Sequence, residues 1–308
     1  MIRELRETDA AGVAQVIRET IPNWVTSERG VLHRLRNTPE RAQRRDWAAE
    51  ADGMLVGWGS CARTIGSERD DVAWVAVFVR PGWRGRGLGA ALYESAAVHT
   101  GVLGARRLLA ECADEPAARA FAEGRGFRHT MTRRLSRLDP RTVNGSVDAL
   151  RPAKEAEGFT LAPFAAFADR PDLIHAVDAE ASLDEPADEP TVEVRLDEWL
   201  ARTWAAPDLD RERSFAVVHD GRPVAIAELI VDLAGGRAMN GFTGTLRAYR
   251  RRGLARLAKL ASIEWAAGHG ITSIVTENDE SNASMLAINV GLGYQPFAAW
   301  LAYVRDAA

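Results

Sequence analysis

Val79-Arg80-Pro81-Gly82-Trp83-Arg84-Gly85-Arg86-Gly87-Leu88-Gly89-Ala90-Ala91-Leu92 is followed, 166 residues later, by Thr245-Leu246-Arg247-Ala248-Tyr249-Arg250-Arg251-Arg252-Gly253-Leu254-Ala255-Arg256-Leu257-Ala258. Arg84 matches Arg250, Gly87 matches Gly253 and Gly89 matches Ala255. Farther on, Gly126-Phe127 matches Gly293-Tyr294 at a spacing of 167, one residue of slippage. An internal period of this length marks duplication of a whole domain rather than a short solenoid repeat.

The surrounding pattern repeats as well. In the first half, Met54–Thr64 and Val72–Val79 read as strands joined by a polar turn, followed by a helix over 87–100 and a strand over 107–111. A short helix over 115–123 and a last strand over 127–138 complete it. The second half offers strands over 214–219, 223–232 and 238–245, a helix over 252–268 and a strand over 273–276. A helix over 282–290 and a strand over 294–304 follow. Residues 140–158, rich in Pro, Asn, Gly and Ser, read as a linker. The expectation is an α/β mixed-sheet fold in two tandem domains, 1–140 and 159–308, joined by 141–158.

Each quoted stretch sits between a strand and a helix. The first N–H groups of a helix lack partners and carry partial positive charge. Glycines let the backbone come close to a ligand with φ > 0, so such a turn suits a pyrophosphate. Arginines add charge matched to phosphate oxygens. Gly85-Arg86-Gly87-Leu88-Gly89-Ala90 also fits a dinucleotide fingerprint with Glu111 some twenty residues on. The second copy breaks that pattern, and both copies are preceded by a strand hairpin that a dinucleotide unit does not need.

In this context the loop resembles the pyrophosphate signature of the GNAT acetyltransferases, Q/R-x-x-G-x-G/A preceded by V-x-P. Glu123–Phe127 and Val290–Tyr294 resemble that family's helix-to-last-strand ending. The tandem form is similar to the mycothiol synthase-like two-domain actinobacterial acetyltransferases. The resemblance implies a sheet that splays between its fourth and fifth strands to admit acetyl-CoA (coenzyme A), the pantetheine pairing with the fourth strand. On that basis Val77, Phe78, Val79, Arg84, Gly85, Arg86, Gly87, Leu88 and Gly89 are candidate cofactor-binding residues of the first half. Gly244, Thr245, Leu246, Arg250, Arg251, Arg252, Gly253, Ala255 and Asn282 are their counterparts in the second; Asn282 also reads as a helix cap. The family tyrosine that protonates the leaving thiolate is missing: five residues before Phe127 and Tyr294 stand Ala122 and Asn289. Asn289 is therefore a candidate hydrogen-bond donor to sulfur.

Glu228 is the candidate general base. It interrupts the apolar run Val224–Val231 on the face shared by Ile226 and Ile230, and no acid occupies Leu55–Arg63 in the first half. Catalysis is expected in the second domain, as acetyl-CoA-dependent N-acetyl transfer to a small amine. The alternative is a non-catalytic acyl-CoA-binding or regulatory tandem module. Asp178, Glu180, Asp184, Glu185, Asp188, Glu189 and Glu193 form an acidic stretch that would favour a cationic acceptor. Arg29, Arg34, Arg36, Arg41, Arg44 and Arg45 are potential partners for it across the domains. Four tryptophans, Trp24, Trp47, Trp199 and Trp204, are candidates for a cleft wall or for packing.

Bulk properties narrow the field. The 308 residues are 46% hydrophobic and 27% charged with net charge −4, which argues against nucleic acid as a partner. No apolar run reaches membrane-spanning length, and Met1–Glu7 lacks the apolar stretch of a signal peptide. Cys61 and Cys112 make neither a disulfide framework nor a metal motif. A cytoplasmic, metal-free protein, monomeric as a pseudo-dimer, is the resulting expectation.

Overall fold

The computed structural model describes residues 1–306 apart from residue 22. It divides into two compact units that are not consecutive in sequence. The first contains Met1–Arg133, Asp188–Val192 and the chain from Ala298 onward, and the second Arg134–Ala187 and Glu193–Phe297.

In chain order the first half contributes β1 (Ile2–Glu4), α1 (Ala10–Thr20), α2 (Glu28–Asn37), β2 (Arg45–Ala51), β3 (Met54–Arg63) and β4 (Val72–Val79). It continues with α3 (Leu88–Val102), β5 (Arg107–Ala113), α4 (Pro116–Glu123) and β6 (Arg128–Leu138). The second half contributes α5 (Val147–Ala156), β7 (Phe159–Pro163), α6 (Asp172–Ser182), α7 (Leu196–Trp199), β8 (Phe215–His219) and β9 (Arg222–Asp232). After these come β10 (Arg237–Thr245), α8 (Leu254–Gly268), β11 (Ser273–Asp279), α9 (Ala283–Leu292) and β12 (Gln295–Asp306). A mixed α/β fold is thus the architecture of both units.

The first unit's sheet runs β1-β2-β3-β4-β5-β12 and the second's β6-β11-β10-β9-β8-β7. The pairs β1–β2, β2–β3, β3–β4, β5–β12, β7–β8, β8–β9 and β9–β10 are antiparallel, whereas β4–β5 and β10–β11 are parallel. Those two parallel pairs place the site, because each is short. Val72–Trp74 pairs with Arg107–Leu109, and Arg237–Met239 with Ser273–Val275. Beyond these three residues the strands part, and one edge of β4 and of β10 is left without a paired strand. Buried backbone groups are rarely left unsatisfied, so a splayed crotch invites an extended ligand.

A helix leans on each hairpin from below. Leu92 of α3 packs so closely on β3 that a Cβ at Gly57 would stand 3.2 Å from it and 3.0 Å from the Phe78 carbonyl oxygen. Glycine is needed there for α3 to approach the sheet. The cores follow: Val56, Ala73, Val75, Leu92, Ala96 and Leu108 in the first unit, and Phe159, Val217, Ala225, Leu229, Leu257, Leu260 and Ile274 in the second.

Two features differ from the reading of the sequence. Residues 147–156 form a helix, not a linker. Ser146 caps it through its hydroxyl on Ala149 N at 3.2 Å, Val147 N donates to Glu264 Oε1 at 2.7 Å, and Val147 is buried in the second core. Polar composition concealed a capped start. The last strand of the chain also serves the first unit. β12 pairs with β5 from Trp300↔Ala113 to Asp306↔Arg107, with Leu301 and Tyr303 in the first core. β6 instead carries Leu138 into the second core. The two strands share one alternating pattern, and pattern alone does not choose between equivalent edges. Truncating Leu301 to Ala is expected to cost about 2–5 kcal/mol, read in urea as unfolding of the first unit, and residues 1–140 alone, lacking β12, are expected not to give a cooperative transition.

Candidate functional site

The two loops adopt one conformation. Arg80 and Leu246 precede a single helical turn with φ, ψ of −52°, 139° in both, and Arg84 and Arg250 leave it at −66°, 160° and −65°, 161°. Gly87 and Gly253 then cap α3 and α8 in the left-handed region at φ 80° and 74°. A Cβ on either glycine would meet no atom within 4 Å, so both helix starts face open space. Gly85 has φ +75° and its counterpart Arg251 φ +62°, a conformation that an arginine adopts at a cost of about 1–2 kcal/mol.

Arg84 Nε and Arg250 Nε donate to the final strand carbonyls, Val79 O at 3.2 Å and Thr245 O at 3.0 Å. Each guanidinium also holds a carboxylate: Arg84 holds Glu115 at 3.0 Å and Arg250 holds Asp184 at 2.6 Å. Arg247 joins the second cluster, and together the two arginines hold the Asp184 carboxyl down to about 2. Arg86 lies over the Trp83 ring, and Arg252 lies 5.7 Å from the Tyr249 ring centroid. Both loops thus present braced cations beside a bare helix N-terminus, a donor set suited to a pyrophosphate.

Between β4 and β5 of the first unit lies a cavity of about 450 Å³. It reaches from Arg84, Gly85, Gly87, Leu88 and Gly89 down past Val79, Phe78 and Val77 to Val75. Tyr93, Cys112, Phe121, Ala122 and Phe127 close it from the other side. Apart from Arg86, which lies over Trp83, the sequence-derived set for the first half is therefore brought together around one space. Its walls are apolar. Glu111 and Glu115 reach it, but Glu111 is paired with Arg133 and Glu115 with Arg84. Burial pushes the Cys112 thiol up to about 11, so it is no ready nucleophile.

The crotch of the second unit is polar where the first is greasy. Lys259 of α8 stands in the register of Tyr93, Asn278 in that of Cys112 and Asn289 in that of Ala122. Lys259 Nζ donates to Asn289 Oδ1 at 2.7 Å, and Asn289 Nδ2 donates to Asn278 Oδ1 at 2.6 Å. The Tyr294 hydroxyl donates to Asn240 Oδ1, and Lys259 Nζ lies 5.2 Å from the centre of the Tyr294 ring. Asn282 accepts from Met285 N at 3.2 Å as the cap of α9.

Glu228 occupies the other side of β10. The β9–β10 register slips between Asn240 and Thr243, and Phe242 N in that bulge donates to Glu228 Oε2 at 2.9 Å. Bulges re-aim groups next to sites. The partner oxygen, Oε1, is buried without a hydrogen bond. Burial first, then the neighbouring Asp178 charge, push this carboxyl up to about 8. Burial also raises Asp178, although Trp199 Nε1 donates to it at 2.9 Å. Trp199 and Trp204 are packed in the apolar cluster around α6, and Trp47 lies in the first core.

The acidic stretch is divided. Asp178 faces Glu228, Glu180 accepts from Arg247 N at 2.7 Å, and Asp184 holds two arginines. Glu189 pairs with Arg107 in the first unit. Among the arginines of the first half, Arg36 holds Glu7, Arg44 holds Asp46, Arg45 holds Glu4, and Arg34 covers Trp24.

Comparison with known proteins agrees with this geometry. The acetyltransferase (GNAT) family matches residues 14–127 and again 174–288. The chain belongs to the GNAT acetyltransferase family. A mycothiol acetyltransferase of Nocardioides sp. is 27% identical over 297 residues, covering 92% of each chain. Among solved structures, a tandem GNAT protein from the clavulanic acid biosynthesis pathway aligns over 100% of this chain and 98% of its own with a TM-score of 0.70 at 20% identity. A GCN5-related N-acetyltransferase from Sphaerobacter thermophilus aligns over 99% and 95% with a TM-score of 0.67 at 17% identity. These structures share the fold. As a tandem GNAT protein this chain is an acyltransferase, and its family uses acetyl-CoA as co-substrate. No helix among the described residues is long and apolar enough to cross a membrane.

Lys259 and Asn240 were not singled out from the sequence. The signal was there: Lys259 falls in the row Ala255–Lys259–Ile263, whose other members are apolar, and is 1% exposed. Glu228 leaves a mark on stability. The folded carboxyl keeps its proton up to about pH 8, whereas an unfolded one loses it near pH 4.5. The folded state therefore binds the extra proton across that window, and stability falls as pH rises through it. In thermal melts from pH 5 to 8 the parent is expected to lose Tm relative to Glu228→Gln, which lacks that titration.

Proposed function

We propose that the protein transfers an acetyl group from acetyl-CoA to the nitrogen of a small amine, with the chemistry in the second unit and Glu228 as general base. The observation that carries this reading is the unpartnered, buried Glu228 Oε1 at the bulge of β10. A buried carboxyl with one oxygen held by a backbone amide and the other free has a position and a vacant lone pair for a substrate proton. Its elevated proton affinity suits the task, since a base works best near the operating pH.

The residues present fit acyl-CoA in both units: bare helix starts in the left-handed glycine conformation, braced arginines, and a strand edge without partners. Arg84–Gly89 and Arg250–Gly253 with Ala255 would hold the pyrophosphate, while Val77–Val79 and Gly244–Leu246 would pair with the pantetheine. Bound there, the group supplies an activated thioester. Glu228 takes the proton of the attacking amine as the C–N bond forms and the C–S bond breaks. The backbone of the bulge fixes the carboxylate while this happens. The first unit has a cavity of about 450 Å³ but no acid on β3, so its role is to hold acyl-CoA without turning it over. Asp178 beside Glu228 favours an acceptor that arrives as a cation, because two carboxyls in an apolar pocket attract a charge that neutralises them. The likeness to a mycothiol acetyltransferase supports an amine acceptor of small size.

The test pairs one substitution with an amine screen. Glu228→Gln is expected to lower kcat by about 10²-fold or more with little change in the KM for acetyl-CoA, the range that general acid–base groups supply. Full activity in Glu228→Gln would remove the second unit as the catalytic one. Calorimetric titration of acetyl-CoA is expected to give two sites in the parent and one in Gly87→Trp, which fills the first cradle, and that variant is expected to keep its turnover.

A further inference from the structure

The family tyrosine is absent at Asn289, so the proposed reaction lacks a proton donor for the departing thiolate. We propose that Lys259 is that donor: its ammonium, reaching from α8 into the crotch between β10 and β11, delivers a proton to the sulfur of coenzyme A. The inference rests on the reading of the second unit as the catalytic one.

Three observations converge on it. Lys259 Nζ reaches Asn289, the residue that stands in the place of the missing acid, at 2.7 Å. It has no carboxylate partner among the described residues, which for a lysine with 1% exposure is uncommon. A buried lysine serving only architecture is normally paired, because removing a charge from water is costly. Finally, Glu228 bonds β10 directly and Lys259 is linked to the same stretch through Tyr294. Glu228 accepts from Phe242 N, while Lys259 lies over the Tyr294 ring, whose hydroxyl donates to Asn240 Oδ1. Asn240 and Phe242 belong to the single irregularity of β10.

The reach of the ligand falls at this point. A pantetheine arm is about 15 Å long when extended, roughly four to five residues of strand at ~3.3 Å each. Laid back along β10 from Leu246, its thiol end would come to Gly241–Phe242. A base and an acid held apart in different surroundings is the arrangement by which one site moves protons both ways. Desolvation, the sole cause, brings Lys259 down to about 7, so the ammonium parts readily with its proton. The groups that face it are Asn289 and the Tyr294 ring, and Tyr294 itself is raised by burial and stays neutral.

The step balances without a further reactant. The amine nitrogen bonds to the acyl carbon, the C–S bond breaks with its electron pair on sulfur, and Lys259 gives sulfur one proton and becomes neutral. Glu228 has by then taken one proton from the amine. Lys259 regains a proton from solvent and Glu228 returns one to it, leaving amide and free thiol.

The experiment needs no knowledge of the acceptor. Free coenzyme A is bound to the parent and to Lys259→Met, and the ultraviolet absorbance of its thiolate is followed against pH. The two groups titrate as a pair: the thiolate lifts the lysine's proton affinity back up as the ammonium stabilises the thiolate, so bound thiol is expected to ionise at least one pH unit lower in the parent, a tenfold greater ionised fraction. Coincident titrations in a Lys259→Met protein that melts like the parent would overturn the proposal. Once an amine is known, Lys259→Met is expected to lose the alkaline limb of the kcat profile; reduced kcat with that limb intact would mean a structural role only. Coenzyme A stoichiometry in Gly253→Trp separates the two readings. An unchanged number of sites would show that the second unit holds no coenzyme A, and the assignment of catalysis and of Lys259 would fall together. A lost site with coincident titrations would remove Lys259 alone.

Discussion

Each unit depends on the parting of two parallel strands after three paired residues. β4 leaves β5 beyond Trp74, and β10 leaves β11 beyond Met239. Everything else in the sites is arranged around those crotches. The loops at the free strand ends turn sharply into α3 and α8, and their glycines expose helix N-termini toward the opening. The partner hairpin strands, β3 and β9, hold β4 and β10 in place from the other edge, so the free edge remains available without the strand being loose. A sheet that closed normally would satisfy its own backbone and leave nothing for a pantetheine to pair with.

The duplicated architecture has diverged in the chemistry of the crotch while conserving the loop conformation, left-handed glycine cap included. Tyr93, Cys112, Ala122 and Phe127 make the first crotch an apolar cavity. Lys259, Asn278, Asn289 and Tyr294 make the second a chain of hydrogen bonds. The β10 bulge belongs to the second unit; the corresponding β3–β4 ladder runs from Gly57↔Val79 to Arg63↔Ala73 without a slip. A bulge, a buried acid and a buried base occur together in one unit and are all lacking at the equivalent place in the other. That pairing is what supports the proposed division into a holding unit and a reacting unit.

Much of this was legible in the sequence because it is local. The loop, its flanking strands and helices, and the equivalence of the halves depend on residues within a turn or two of one another. Glu228 stood out because an acid in a run of Val, Ala, Ile and Leu has few ordinary explanations. What stayed hidden was non-local. The strand 294–304 carries the right alternation for either sheet, and only the three-dimensional pairing shows that β12 lies against β5. Lys259 looked like an ordinary helix lysine until α8 was seen to bury that row against Tyr294. The helix over 147–156 was masked by the Pro, Asn and Gly that precede and interrupt it.

Acyl-CoA lying along β10 and reacting at its bulge would leave a mark on backbone hydrogen exchange, measured on the parent protein with and without acetyl-CoA. Added protection is expected at residues 240–246 and at the start of α8, alongside protection at 75–79 and the start of α3. Protection confined to 75–79 and α3, with 240–246 exchanging as in the free protein, would contradict it and place acyl-CoA in the first unit alone.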